Sequence, residues 1–108
     1  MKKLIACMAL VLLVATSVFA QSVPRSVEQR IRQIYAEKYP DNFSMQKTLI
    51  NSQLKAYRFI QRWTSEPGVP QDVFSKVKTI YAQKYPYNFS MQKTLVQNQV
   101  KSYLDLKQ

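Results

Sequence analysis

The sequence repeats itself at an interval of 46 residues. Residues 31–57 and 77–103 are identical at 17 of 27 aligned positions, including a Tyr-Pro pair and the run Asn-Phe-Ser-Met-Gln-Lys-Thr-Leu that follows it. A duplicated unit of this length is one supersecondary element that cannot bury its own apolar face. We therefore expect copy one (residues 22–67) and copy two (residues 68–108) to pack together in a single domain, residues 21–108.

The first 20 residues have the layout of a cleaved secretory signal peptide. Two lysines precede an apolar run, residues 4–15, and the small residues Val18 and Ala20 precede the expected cut. The run is shorter than the roughly 20 apolar residues of a membrane span. Residues 4–7 look like a lipobox, but Cys7 lies inside the apolar run, which argues against lipidation. We expect a periplasmic or secreted protein.

The composition argues against catalysis. There is no histidine, and Cys7 is the one cysteine, so residues 21–108 lack the side chains of most nucleophile, general-base and thiolate metal sites. The six acidic residues form no spaced pair, and one glycine cannot build a phosphate-binding loop. We expect a binding protein rather than an enzyme, with no catalytic residue, no cofactor and no metal.

Each copy reads as a short helix followed by a turn. Ser26, which forms a capping box with Gln29, and Asp72 in the second copy predict where the short helices begin. Apolar residues then recur at i, i+4, i+7 and i+8, as on one face of an α-helix. The Tyr-Pro pairs at 39–40 and 85–86 end these helices, because proline lacks an N–H donor and disfavours helical geometry before it.

A longer helix follows each turn. Asn42 and Asn88 are good capping residues, and they predict helices over residues 43–63 and 89–106. The predicted fold is therefore all-α, with two tandem αα-hairpin repeats packed as a small four-helix arrangement and no strands.

The long helices carry most of the candidate binding residues. On a helical wheel, four basic residues of copy one fall within about 80° of one another, opposite the apolar side. They form what we call the basic stripe: Lys47, Lys55, Arg58 and Arg62. Copy two places Lys93 and Lys101 at the positions of the first two. Without residues 1–20 the chain has 14 Lys and Arg against 6 Asp and Glu, a formal charge of +8. Such a surface favours anionic partners, although a basic surface also serves solubility alone.

Four glutamines fall on the apolar side of the long helices: Gln46, Gln53, Gln92 and Gln99. Buried amides need partners, and tyrosine hydroxyls and the backbone near the proline turns are the nearest candidates. They predict either a structural clamp between turn and helix or a polar pocket for a small ligand, one per copy.

The turns present aromatic residues beside lysines. Tyr39 and Tyr85 precede the prolines, and Tyr87 replaces Asp41 of copy one, so we expect Tyr87 to be exposed. Aromatic and cationic groups together suit contact with a protein partner, but such aromatics also serve as ordinary core.

The string Tyr-Pro-x-Asn-Phe-Ser-Met-Gln, followed by a glutamine and a tyrosine as at residues 39–57, resembles a short helical-hairpin motif of uncharacterised exported or membrane-tethered bacterial proteins. The resemblance covers about 20 residues per copy and brings no activity with it. It implies a bacterial envelope protein. From the residues we expect a protein or an anionic envelope component as partner, with nucleic acid or anionic lipid, a small ligand, and self-association into a homo-oligomer as alternatives.

Overall fold

The computed structural model describes residues 22–108 as four α-helices; the predicted signal peptide lies outside this range. The helices are α1 (Arg25–Lys38), α2 (Phe43–Arg62), α3 (Gln71–Lys84) and α4 (Phe89–Leu106). No strand occurs between residues 22 and 108. The all-α fold with two tandem hairpins is confirmed.

The asparagine caps of the long helices form as predicted. Asn42 Oδ1 accepts a hydrogen bond from the Met45 backbone N–H, and Asn88 Oδ1 accepts one from that of Met91, each at 3.2 Å. Each bond pairs one of the N–H groups that a helix start leaves without a partner. The identical caps explain why α2 and α4 begin at equivalent residues.

The predicted capping of the short helices is wrong. The N-caps are Pro24 and Pro70, and no side chain caps either helix. Pro24, at φ −56° and ψ 142°, has the extended geometry of an N-cap residue, and its carbonyl accepts the Glu28 N–H at 3.0 Å. Ser26 therefore lies within the first turn of α1 instead of before it.

A proline turn connects each helix to the next, and in each turn the residue after the proline has a positive φ, in the left-handed region. The turns after Pro40 and Pro86 hold Asp41 at φ 65° and Tyr87 at φ 61°. The turn between the copies holds Gly68 at φ 83°, where a Cβ atom would lie only 2.9 Å from Leu104 Cδ2. Glycine is thus favoured at position 68 because it adopts this backbone without strain, and a Cβ atom there would force the Leu104 side chain to move.

Each hairpin buries its own apolar cluster. The buried side chains of the clusters are Ile31, Ile50 and Leu54 in the first hairpin, and Phe74, Val96 and Val100 in the second. Each cluster also receives an aromatic ring from the other copy, since Phe89 packs against the first and Trp63 against the second. The two hairpins are therefore joined by an exchange of aromatic side chains.

The long helices hold the two copies together. α1 packs on α2, α3 packs on α4, and α2 packs on α4. Along α2, Gln53 meets Ser90, Phe59 meets Lys93, and Trp63 reaches the cluster that contains Val100. Since the residue numbers rise together, α2 and α4 run in the same direction, with the C-terminal half of α2 beside the N-terminal half of α4.

None of the helices between residues 22 and 108 combines the length and the apolar character needed to cross a membrane.

Candidate binding surface

The basic stripe is exposed along its whole length. All four of its side chains are exposed to solvent on α2. Fifteen residues separate Lys47 from Arg62, which corresponds to about 22 Å along the helix axis. The helical wheel therefore predicted the exposed side of α2 correctly. The basic stripe is an elongated row of positive charge on the side of α2 away from its apolar residues.

Acidic side chains do not neutralise the stripe. Within residues 22–108 the ion pair that forms is Arg32 with Glu28, at 2.9 Å on α1. In copy two, Lys101 is exposed, whereas Lys93 is half-buried and lies 4.2 Å from the centroid of the Phe59 ring. The favourable contact of a cation with an aromatic face gives Lys93 a packing role between the copies. The exposed positive charge is therefore denser on copy one.

The turn tyrosines differ in exposure. Tyr39 and Tyr85 are half-buried, while Tyr87 is 38% exposed, as its replacement of Asp41 predicted. Arg30 lies 5.9 Å from the centre of the Tyr87 ring, and Phe89 meets that ring edge-on at 6.2 Å. Tyr87 thus presents part of its ring to solvent beside a cation.

Two of the four glutamines clamp their own turn. Gln46 Nε2 donates to the carbonyl of Tyr39, and Gln92 Nε2 donates to that of Tyr85, both at 2.7 Å. The accepting carbonyls belong to the residues that end α1 and α3. Each bond fixes the proline turn to the long helix that follows it, and the backbone near the turn supplies the partner, as expected.

Gln53 joins the two copies. It is 3% exposed, and its Oε1 accepts the Ser90 backbone N–H at 3.1 Å. Its Nε2 lies 2.9 Å from the Tyr35 hydroxyl, 2.9 Å from Ser90 Oγ and 3.1 Å from Asn88 Oδ1. One buried amide thus ties α1 and α2 to the first turn of α4.

The expectation that Gln99 lies in a buried stripe is wrong. Gln99 occupies the position of Gln53 in copy two, but it is exposed. The helical wheel placed both glutamines on the same side of their helices. The side of α2 that carries Gln53 is covered by α4, and no element of the described chain covers the same side of α4.

Lys78 is a structural cation that the sequence pattern did not reveal. Its Nζ donates to the carbonyls of Ile60 at 2.9 Å and Trp63 at 2.6 Å, at the C-terminal end of α2. Burial lowers the pKa of Lys78 below its usual 10.5. The helix dipole favours a cation at this place, and the carbonyls gain donors. Its position depends on how the copies pack, so spacing along α3 alone carries no signal for it.

Comparison with known proteins gives no relative. No protein-family model, no curated protein and no solved structure matches the chain.

Proposed function

We propose that this protein is a small non-enzymatic binding protein of the bacterial envelope that engages an anionic partner, a protein or another envelope component, through the basic stripe. The observation that carries the proposal is the exposure of all four stripe side chains along one face of α2, with no acidic residue of the described chain paired to them. Unpaired charges arranged in a row raise the rate of encounter with an anionic surface and orient it.

The hydrogen bonds of the buried and half-buried glutamines favour a binding surface over a pocket for a small ligand. Gln46 and Gln92 are hydrogen-bonded to backbone carbonyls, and Gln53 is held by α1 and α4. Amides already bonded inside the protein are poorly placed to select a small ligand, because a ligand would have to replace those bonds. Tyr39, with Lys38 over its ring, and Tyr87, with Arg30 over its ring, lie in the turns and would add contact area to a protein partner.

Charge reversal on the stripe tests the proposal. We would compare the triple variant Lys55→Glu, Arg58→Glu, Arg62→Glu with the control Arg25→Glu, Lys76→Glu, Lys107→Glu, which makes the same change in net charge at exposed sites elsewhere. The measurement is capture of proteins and polymers from a bacterial envelope extract, with circular dichroism as a check on folding. The stripe variant should lose the captured partner while the control keeps it. Equal, salt-insensitive capture by both variants would refute the proposal.

A salt series separates the alternative partners. Binding to phosphatidylglycerol vesicles or to a single-stranded oligonucleotide that falls steeply with rising salt, and that the control triple variant weakens as much as the stripe variant, would indicate non-specific polyanion binding. A specific partner should instead discriminate between the two variants at equal net charge.

A further inference from the structure

The contact between the two copies is one-sided, meaning that each copy contributes a different surface to it. The C-terminal half of copy one, through Gln53 and Tyr57, meets the N-terminal part of α4, through Asn88, Phe89 and Ser90. An interface of this kind joins two different surfaces of related units, so within residues 22–108 it leaves one surface of each kind uncovered. Because both copies carry the same residues at these positions, the unused surfaces have the chemistry of the used ones.

The first unused surface is the start of α2. It carries Asn42, Phe43 and Ser44, which correspond to Asn88, Phe89 and Ser90. Phe89 is half-buried against the first apolar cluster, whereas Phe43 is 71% exposed. Within residues 22–108 the ring of Phe43 therefore remains in solvent at the start of α2.

The second unused surface is the end of α4. Gln99 and Tyr103 correspond to Gln53 and Tyr57, and Leu106 corresponds to Ile60. Gln99 is exposed while Gln53 is 3% exposed, and Leu106 is 83% exposed while Ile60 is 8% exposed. This end therefore carries the apolar and amide groups that, in copy one, receive copy two.

The two surfaces also match in charge. Within the chain, Lys93 lies over the ring of Phe59. The corresponding residues on the unused surfaces are Lys47 and Asp105. Contact between the unused surfaces would replace a cation on an aromatic ring by an ion pair, which makes this pairing more specific than the internal one.

We propose that the protein associates head to tail with further copies of itself through these two surfaces. Gln99 of one molecule bonds to Asn42 and Ser44 of the next, Tyr103 packs edge-on against Phe43, and Asp105 pairs with Lys47. The association is heterologous and does not close after two molecules, so oligomers lengthen as concentration rises.

Two single substitutions at exposed sites test the association without disturbing the core. Phe43→Glu removes the ring from the first surface. Gln99→Lys places a cation against the start of α2, which repels it. Each has a matched control with the same charge change on a neighbouring exposed side, Ser52→Glu on α2 and Asn98→Lys on α4.

Sedimentation velocity of the wild-type protein and each variant, from about 10 µM to about 1 mM, covers the range in which weak protein contacts become populated. The wild type and both controls should gain mass with concentration. The association of Phe43→Glu and of Gln99→Lys should each be weakened about tenfold or more, so that each variant is mostly monomeric at concentrations where the wild type has associated. An equimolar mixture of these two variants should give a dimer and nothing larger, since one intact surface remains on each.

A charge swap provides the second readout. Lys47→Glu should weaken association, and adding Asp105→Lys in the same chain should restore it, because the ion pair between molecules then forms in reverse. A wild type that remains monomeric throughout, an equimolar mixture with no dimer, or a double variant no better than Lys47→Glu would overturn the proposal. Circular dichroism of each variant establishes that it is folded.

Discussion

The two copies share 17 of 27 aligned residues, but equivalent residues have different surroundings. Gln53 and Gln99 occupy the same repeat position, yet the first is buried in a network that reaches α4 and the second faces solvent. Phe43 and Phe89 also share a repeat position, but here the residue of copy two, Phe89, is half-buried and the residue of copy one, Phe43, is exposed. At these two shared positions, burial is decided by whether the other repeat covers the residue, since the local sequence is the same. Paired substitutions at equivalent positions test this directly.

The largest expected difference is at positions 74 and 28. Phe74 is 1% exposed at the centre of the second cluster, while its counterpart Glu28 pairs with Arg32 on the surface. Phe74→Ala should lower the free energy of unfolding by about 3–5 kcal/mol, because it leaves a cavity in the core. Glu28→Ala should cost less than about 1 kcal/mol. Urea denaturation measures both, and similar losses would show that the second hairpin does not depend on the Phe74 cluster.

Gln53 and Gln99 provide the next comparison. Gln53→Ala should cost about 2–3 kcal/mol, because Tyr35, Asn88 and the Ser90 N–H all lose a partner in a buried place. Gln99→Ala should change stability by less than about 0.5 kcal/mol, as exposed substitutions do. The measurement is urea denaturation at a concentration low enough to exclude association. An equal cost at both positions would contradict the one-sided contact between the copies.

Local features of the fold were predictable because they depend on neighbours in sequence. Asn42 caps α2 through its own first turn, and Pro40 ends the preceding helix through its own ring, so both could be read from the chain. The starts of the short helices were missed because Ser26 and Pro24 are both plausible caps, and the extended geometry of the proline prevailed.

Features set by stacking could not be predicted. The wheel placed the basic stripe correctly, since that requires only one helix, but the exposure of Gln99 and the role of Lys78 depend on which way α4 lies on α2. An internal repeat predicts that copies pack together without specifying whether the contact is one-sided or two-fold.

Lys78 and Arg32, which share a repeat position, provide the third comparison. Lys78 Nζ donates to two carbonyls at the end of α2, whereas Arg32, at the same repeat position, is an exposed partner of Glu28. Lys78→Met keeps the aliphatic part of the side chain and should cost about 1–2 kcal/mol through the lost donors. Arg32→Met should cost about 0.5 kcal/mol or less. Thermal melts of both variants measure the two contributions. Equal melting temperatures would show that the bonds from Lys78 to the end of α2 do not stabilise the fold.

The smallest expected effect is a pH dependence carried by Lys78. Its folded pKa is lowered by burial from 10.5, so just below pH 10.5 the unfolded chain holds a proton that the folded chain has released. Stability rises with pH wherever the unfolded state binds more protons. The free energy of unfolding of the wild type minus that of Lys78→Met should therefore increase towards pH 10.5. Taking the difference between the wild type and the variant removes the contribution of the tyrosines, which both proteins contain. A difference in the free energy of unfolding that stays constant or falls with pH would contradict burial of the Lys78 ammonium group.

The most direct test of the one-sided packing is the contact between aromatic rings across the copies. The Tyr57 and Phe89 ring centroids lie 4.9 Å apart, nearly perpendicular at 82°. Nuclear Overhauser spectra of the dilute protein should show a strong cross-peak between these rings, and none within one chain between Tyr103 and Phe43. Two cross-peaks of equal strength within a single chain would demonstrate a two-fold arrangement of the hairpins, and the absence of the Tyr57–Phe89 cross-peak would show that the copies do not stack as described.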